Sequence, residues 1–242
     1  MVDTIFLQDC LEGMKAIPTG SVDLILTDLP YGTTKNKWDN VIPFDALWTA
    51  YERIIKEHGA IILFGSGRFT AELMLSNTKL WRYNLIWEKT TPTGFLNAKK
   101  MPLRCHEDIL VFYKGLPTYN PCMTLGKRKV ATAKHKRNSK HGESYGDYRA
   151  VSYDSNMRYP RSVLHFSTDK QKSALHPTQK PVALLEYLIR TYTNEGDLVL
   201  DSCMGVGSTC VAAIRANRHY IGFETNEQYF NLARLRLNEL KG

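Results

Sequence analysis

Apolar and polar positions alternate with two different periods along this chain. Ile5-Phe6-Leu7 and Val22 to Thr27 are short, β-prone runs, each followed by a polar break. Between them, Cys10 to Ile17 reads as a short helix stopped by Pro18. From Pro43 to Lys56 the spacing becomes helical, with Phe44, Leu47, Trp48, Tyr51, Ile54 and Ile55 on one face. Ala60 to Phe64 predicts a strand, Phe69 to Ser76 a helix, and Asn84 to Trp87 and Ile109 to Tyr113 further strands. After a long gap the pattern resumes at Pro181, a favoured residue for starting the helix Val182 to Tyr192. Leu198-Val199-Leu200, Ser208 to Ala216, His219 to Phe223 and Glu227 to Leu240 then read as strand, helix, strand and helix. Strands alternating with helices predict a doubly wound α/β fold around a mostly parallel sheet.

The gap has a different composition. From about Gly115 to Pro160 the chain is rich in Lys, Arg, Ser, Asn and Tyr and poor in aliphatic residues, which predicts an insertion or mobile arm rather than core. Lys127, Arg128, Lys129, Lys134, Lys136, Arg137 and Lys140 fall there with no acid between them. With a net charge of +8, this stretch points to a polyanionic partner and to phosphate contacts. Tyr119, Tyr145, Tyr148, Tyr153 and Tyr159 interleave with it, which suits nucleic acid or packing of the insertion onto the body. A length of 242 residues accommodates one α/β domain carrying an insertion. The expected division is therefore 1–114 and 166–242, two halves of one domain, around an insertion at 115–165. No apolar run approaches the roughly 18 residues of a membrane span. Met1-Val2-Asp3-Thr4 lacks the basic region of a signal peptide. Cys10, Cys105, Cys122, Cys203 and Cys210 show no paired metal spacing, so reduced thiols, a cytoplasmic location and no metal site are expected.

Two stretches carry candidate chemistry. Asp28-Leu29-Pro30-Tyr31 directly follows a predicted strand, and ligands bind at the carboxyl ends of strands in open α/β sheets. Its carboxylate can accept from an amine, its proline stiffens the turn, and its ring can stack on a heterocycle. A plain surface turn is the alternative. The second stretch, Asp201 to Thr209, joins a strand to a helix through Gly205 and Gly207, and the next strand ends at Glu224, placed to take ribose hydroxyls. This is a nucleoside-cofactor pattern. A dinucleotide site would want a third glycine where Cys210 stands. Asp201 would repel a pyrophosphate but attract a sulfonium or ammonium centre, and S-adenosylmethionine carries both.

The two stretches, in this order, resemble the β-type amino-group (N6-adenine or N4-cytosine) DNA methyltransferases. Asp28-Leu29-Pro30-Tyr31 is similar to the family's Asp-Pro-Pro-Tyr, and Asp201 to Thr209 to its cofactor loop. His176-Pro177-Thr178-Gln179-Lys180-Pro181 resembles the segment leading into the helix before that loop. Gln8-Asp9-Cys10 and His106-Glu107-Asp108-Ile109-Leu110 resemble, respectively, a short acidic motif and a structural segment. The resemblance implies the S-adenosylmethionine-dependent methyltransferase fold with a basic recognition insertion. It also implies double-stranded DNA as partner, and leaves pairing with a second copy open. The resemblance makes Asp28, Leu29, Pro30 and Tyr31 catalytic: the carboxylate and the Leu29 carbonyl accept from the amine of a flipped base, and Tyr31 stacks on it. It assigns the cofactor to Asp9, Cys10, Asp28, Thr178, Gln179, Lys180, Asp201, Ser202, Cys203, Met204, Gly205, Gly207 and Glu224. Within that set, Thr178 and Lys180 are expected near the methionine end. The basic stretch from Lys127 to Lys140 is expected on DNA. Three departures matter: Leu29 stands where a proline is usual, and Ser202 and Cys203 stand where a proline and a phenylalanine are usual in the cofactor loop. Adenine N6 is the expected acceptor. The alternatives are cytosine N4, a non-catalytic DNA-binding protein of the same fold, a cytosine C5 enzyme using Cys122 after Pro121, and a dinucleotide oxidoreductase.

Overall fold

The computed structural model describes residues 2–32, 40–131, 154–168 and 179–240. In chain order the elements are β1 (Thr4–Leu7), α1 (Cys10–Met14), β2 (Val22–Thr27), α2 (Phe44–Ile54), β3 (Ile55–Gly65), α3 (Arg68–Ser76), β4 (Trp81–Thr93) and β5 (Arg104–Phe112). There follow β6 (Thr124–Ala131), β7 (Asp154–Arg158), β8 (Val163–Phe166), α4 (Val182–Tyr192), β9 (Leu198–Asp201), α5 (Ser208–Arg215), β10 (His219–Glu224) and α6 (Glu227–Glu239). They belong to two compact units, Met1–Asn120 with Ser162–Gly242, and Pro121–Arg161.

Among the described residues, the first unit holds an eight-stranded sheet in the order β1-β10-β9-β2-β3-β5-β4-β8. Every neighbouring pair is parallel except the two made by β5, which runs against both β3 and β4. Strand β2 and the stretches 60–64 of β3 and 109–112 of β5 are buried on both faces, which is why they read as near-continuous apolar runs. Successive residues face opposite layers. Ala60, Ile62 and Phe64 of β3 and Ile109 and Val111 of β5 meet the apolar faces of α4, α5 and α6. Ile61, Leu63, Leu110 and Phe112 meet those of α1, α2 and α3. Helices on both faces make the sheet doubly wound, as expected.

The structure corrects several boundaries. Val163–Phe166, expected within the insertion, pairs in parallel with Ile86–Lys89 and belongs to the large sheet. Only Leu164 of this strand is buried, so its four residues carry little periodic signal. Strand β3 begins at Ile55 rather than Ala60, across a register irregularity in β2. Strands β4 and β5 extend beyond their apolar cores to a final pair, Thr93 with Arg104. Backbone pairing, which hydrophobic patterning does not report, carries them there. In the second unit β6 and β7 pair antiparallel, from Thr124 with Arg158 to Ala131 with Asp154. The chain expected to lack regular structure thus contains a two-stranded ribbon. Lys127, Arg128 and Lys129 lie on β6. Their side chains, and Lys134, Lys136, Arg137, Lys140, Tyr145, Tyr148 and Tyr153, lie outside the described residues.

Candidate active site

Parallel strands deliver their carboxyl ends to one edge of the sheet. Asp9 follows β1, Asp28 follows β2, Asp201 ends β9 and Glu224 ends β10. Because β5 is reversed, its early residue Glu107 reaches the same edge, opposite Trp87 of β4. A cavity of about 660 Å³ opens there, and all five carboxylates line it.

Asp28 sits in a charged cluster. Tyr31 Oη donates to Asp28 Oδ1 at 2.9 Å. Lys180 Nζ donates to Asp28 Oδ2 at 2.5 Å and lies 3.2 Å from Glu107 Oε2. Lys89 Nζ donates to Glu107 Oε1. The side chains of Lys180 and Glu107 are only 8% and 14% exposed, so these charges compensate one another largely out of water. Burial raises the Asp28 carboxyl above the usual carboxylate range; Lys180 offsets part of this and Glu107 adds to it. Burial acts on Glu107 in the same direction, but Lys180 and Lys89 together hold it below its ordinary value. Burial alone would lower Lys180, yet Asp28 and Glu107 raise it above the usual lysine value.

Leu29 answers the question raised by its missing proline. Its side chain is 3% exposed and packs in the cluster that contains Cys10, Met14, Leu47 and Tyr51. Burial of a leucine contributes about 1.5–3 kcal/mol, so packing anchors the turn that a ring would otherwise stiffen. Tyr31 stacks one face on Phe69, with centroids 4.6 Å apart and planes at 25°. The ring also lines the cavity. Burial and the neighbouring carboxylate of Asp28 raise its hydroxyl well above its ordinary value, so it stays a proton donor.

The second stretch is held by its own side chains. Asp201 Oδ1 accepts from Thr27 Oγ1 at 2.7 Å and from the Cys203 N–H at 3.0 Å. Ser202 Oγ lies 2.6 Å from Tyr51 Oη. The Met204 N–H donates to the Phe223 carbonyl at 2.9 Å. Gly205 has φ +51°, and a Cβ there would meet nothing within 4 Å, so its backbone faces open space. Gly207, at φ +76°, caps α5 and approaches Ala233 of α6, where a Cβ would lie 3.1 Å from the alanine Cβ. Glu224 accepts from the Gly205 N–H at 3.0 Å and the Asn226 N–H at 2.7 Å. A carboxylate has acceptor sites beyond these two bonds. Asp9 caps α1, taking the N–H groups of Leu11 at 2.9 Å and Glu12 at 3.2 Å. Cys10 and Cys203 line the same wall, and hydrogen bonding between them, with burial, raises the Cys203 thiol well above its ordinary value.

Burial raises Asp201 from 3.8 to about 6. Ionising it therefore disfavours the folded state, a penalty absent below pH 3.8, growing up to about pH 6 and complete above that. Asp201→Asn is expected to stabilise the cofactor-free protein by about 3 kcal/mol at pH 7.5, and by well under half of that at about pH 4. Urea unfolding at both pH values checks this. An equal effect at the two pH values would mean that burial of the charge is not the cause.

The cavity thus brings together Asp9, Cys10, Asp28, Leu29, Pro30, Tyr31, Gln179, Lys180, Asp201, Ser202, Cys203, Met204, Gly205 and Glu224. Gly207 shapes the turn behind it. Thr178 lies outside the described residues. Lys180, expected near the methionine end of a cofactor, lines the cavity and is paired with Asp28 and Glu107. Glu107 and Lys89 were missed as site residues. Their sequence signal is faint: each is one of several charged residues on its strand, beside Glu88 on β4 and beside His106 and Asp108 on β5, and it becomes informative only once β4 and β5 are known to pair. Gln179 lines the cavity, and among the described residues no donor reaches its buried Oε1.

The carboxylates, the open Gly205 backbone and the unpartnered amide oxygen fit a cationic nucleoside cofactor, and define a methyltransferase-type site on a doubly wound sheet. The sequence profile of a family described as DNA methylase matches residues 22–235, and the chain belongs to that family, the amino-group DNA methyltransferases of the β type. Its cofactor is S-adenosylmethionine. Relatives include the Type II methyltransferase M1.MboII of Moraxella bovis, 28% identical over 99% of this chain and 98% of the relative. Another is the DNA adenine methyltransferase YhdJ of Escherichia coli, 29% identical over 97% of this chain and 82% of the relative. Among solved structures, an M1.HpyAVI–SAM complex matches with TM-score 0.65 and 25% identity, covering 97% of this chain and 98% of the other. The cytosine-N4-specific PvuII DNA methyltransferase matches with TM-score 0.71 and 16% identity, covering 98% of this chain and 89% of the other, a likeness of fold. Among the described residues no helix is long and apolar enough to cross a membrane.

Proposed function

We propose that this chain methylates the N6 amine of an adenine turned out of double-stranded DNA. The observation that carries this reading is Asp28: an acceptor fixed from two sides, 26% exposed, on a wall shared with the cofactor carboxylates. An adenine inside a duplex has its amine engaged in pairing, so the base must leave the stack. The cavity of about 660 Å³ has room for a heterocycle beside a nucleoside. Tyr31, with one face on Phe69, presents the other side of its ring to the base. Asp28 and the Leu29 carbonyl accept from the amine and align its lone pair toward the cofactor side. The raised pKa of Asp28 makes it a stronger acceptor than an exposed aspartate. Lys180 and Tyr31 leave that carboxylate little freedom, and such positioning is a large part of catalysis.

S-adenosylmethionine, when bound, supplies an electrophilic methyl group. Glu224 would hold the ribose, Asp9 and Cys10 the adenine side, and Gln179, Asp201, Ser202, Cys203, Met204 and the Gly205 backbone the remainder. We assign phosphate contacts to the basic stretch from Lys127 to Lys140.

The test is nucleoside analysis of DNA from a host lacking its own methylation that expresses this chain. N6-methyladenine is expected. N4-methylcytosine would assign the site to cytosine instead, and unmodified DNA from a protein that binds S-adenosylmethionine would contradict the reading.

A further inference from the structure

The hairpin joining β4 to β5 is ordered, yet it leaves its apolar side chains in water. After the final pair of Thr93 with Arg104, the chain turns at Gly94, which has φ +90°. The tip is built from successive tight turns: Asn97 N–H to Gly94 O at 2.9 Å, Ala98 N–H to Phe95 O at 3.0 Å, and Lys100 N–H to Asn97 O at 2.8 Å. On this fixed backbone Phe95 is 81% exposed, Leu96 98%, Met101 59% and Leu103 38%. Ordered backbone that presents bulky apolar groups to solvent marks an interaction site rather than a neutral loop. Between Glu88 and Glu107 there is no acid, while Lys99, Lys100 and Arg104 flank the apolar tip and are exposed. Their charge complements phosphates. The base of the hairpin is continuous with the active site, since Thr91, Thr93, Gly94 and Arg104 line the cavity that holds Asp28.

We propose that this tip is a wedge that enters duplex DNA at the target pair, with Phe95 and Leu96 filling the gap left by the extruded base. The proposal rests on the base-flipping reading above and adds the element that stabilises the opened duplex. Unstacking a base step is unfavourable by a few kcal/mol, and inserted apolar side chains are a general way to offset it. The lysines would seat the hairpin on the backbone on either side of the gap.

The experiment compares the unaltered protein with Phe95→Ala/Leu96→Ala. Both residues are exposed, so folding should not depend on them. Two duplexes carrying the chain's own methylated site, identified by sequencing the host DNA, serve as substrates. In one the target base is paired; in the other it faces an abasic position and is already unpaired. The wedge predicts a fall of about 10–100-fold in kcat/KM on the paired duplex and less than about threefold on the other, with cofactor binding unchanged. Equal loss on both substrates would make the tip a general DNA contact, and no loss on either would make it dispensable; each overturns the wedge. A dimer of the unaltered protein that the double variant dissociates, in sedimentation, would assign the tip to contact between copies and also overturn it. If the unaltered protein methylates neither substrate, the DNA reading itself fails, and the wedge with it.

Discussion

A Lys180→Met protein is expected to be less stable than the parent by about 2–4 kcal/mol at neutral pH. The ammonium is 8% exposed and lies between Asp28 and Glu107. Removing it leaves two carboxylates on one wall with incomplete compensation: Glu107 keeps Lys89, and Asp28 keeps the Tyr31 hydroxyl. The sign with pH follows. Without Lys180 both carboxyls have folded pKa values above those in the parent, so the deficit is full at neutral pH and shrinks as acid protonates them. Urea unfolding at pH 7.5 and about pH 4.5 should show a large and then a small difference. The acid limb of the methyl-transfer profile should also move to higher pH, because Asp28, already raised, loses its main charge partner. Unchanged stability and an unchanged profile would mean that Lys180 is not coupled to the carboxylates.

Asp28→Ala is expected to lower kcat by about a thousandfold or more while leaving S-adenosylmethionine affinity within a few-fold. The substitution removes the acceptor aimed at the amine. It also releases Tyr31, whose hydroxyl now donates to Asp28 Oδ1, and Lys180, which donates to Oδ2. Asp28 is one of many groups assigned to the cofactor, and two of the other carboxylates are held by bonds that do not involve it: Glu224 by Gly205 and Asn226, and Asp201 by Thr27 and Cys203. Asp28→Asn keeps the volume and one acceptor, and so tests the charge with little disturbance of the turn.

Much of the sheet was legible because its central strands are buried on two faces. Val22–Thr27 and Val182–Tyr192 run as expected, since an apolar run and an amphipathic stripe each end where burial ends. Val163–Phe166 was not legible: it buries one residue and owes its place to backbone pairing with β4. The β6–β7 ribbon was missed for the same reason, being polar and basic in sequence. In the site, Asp28, Asp201 and Glu224 could be placed because each follows a run of strand residues. Leu29 could not be settled beforehand, because its anchor is a cluster of residues distant in sequence. The Lys180–Glu107–Lys89 chain was hidden too, since it joins β4, β5 and the residue before Pro181 across the edge of the sheet.

The most direct measurement of the central claim is transfer of labelled methyl from S-adenosylmethionine to DNA by the unaltered protein and by Asp28→Ala, with cofactor affinity determined by calorimetry on the same preparations. The account predicts labelled amino groups with the unaltered protein, and near-complete loss with the variant despite retained cofactor binding. Substantial transfer by an Asp28→Ala protein that binds the cofactor normally would contradict it.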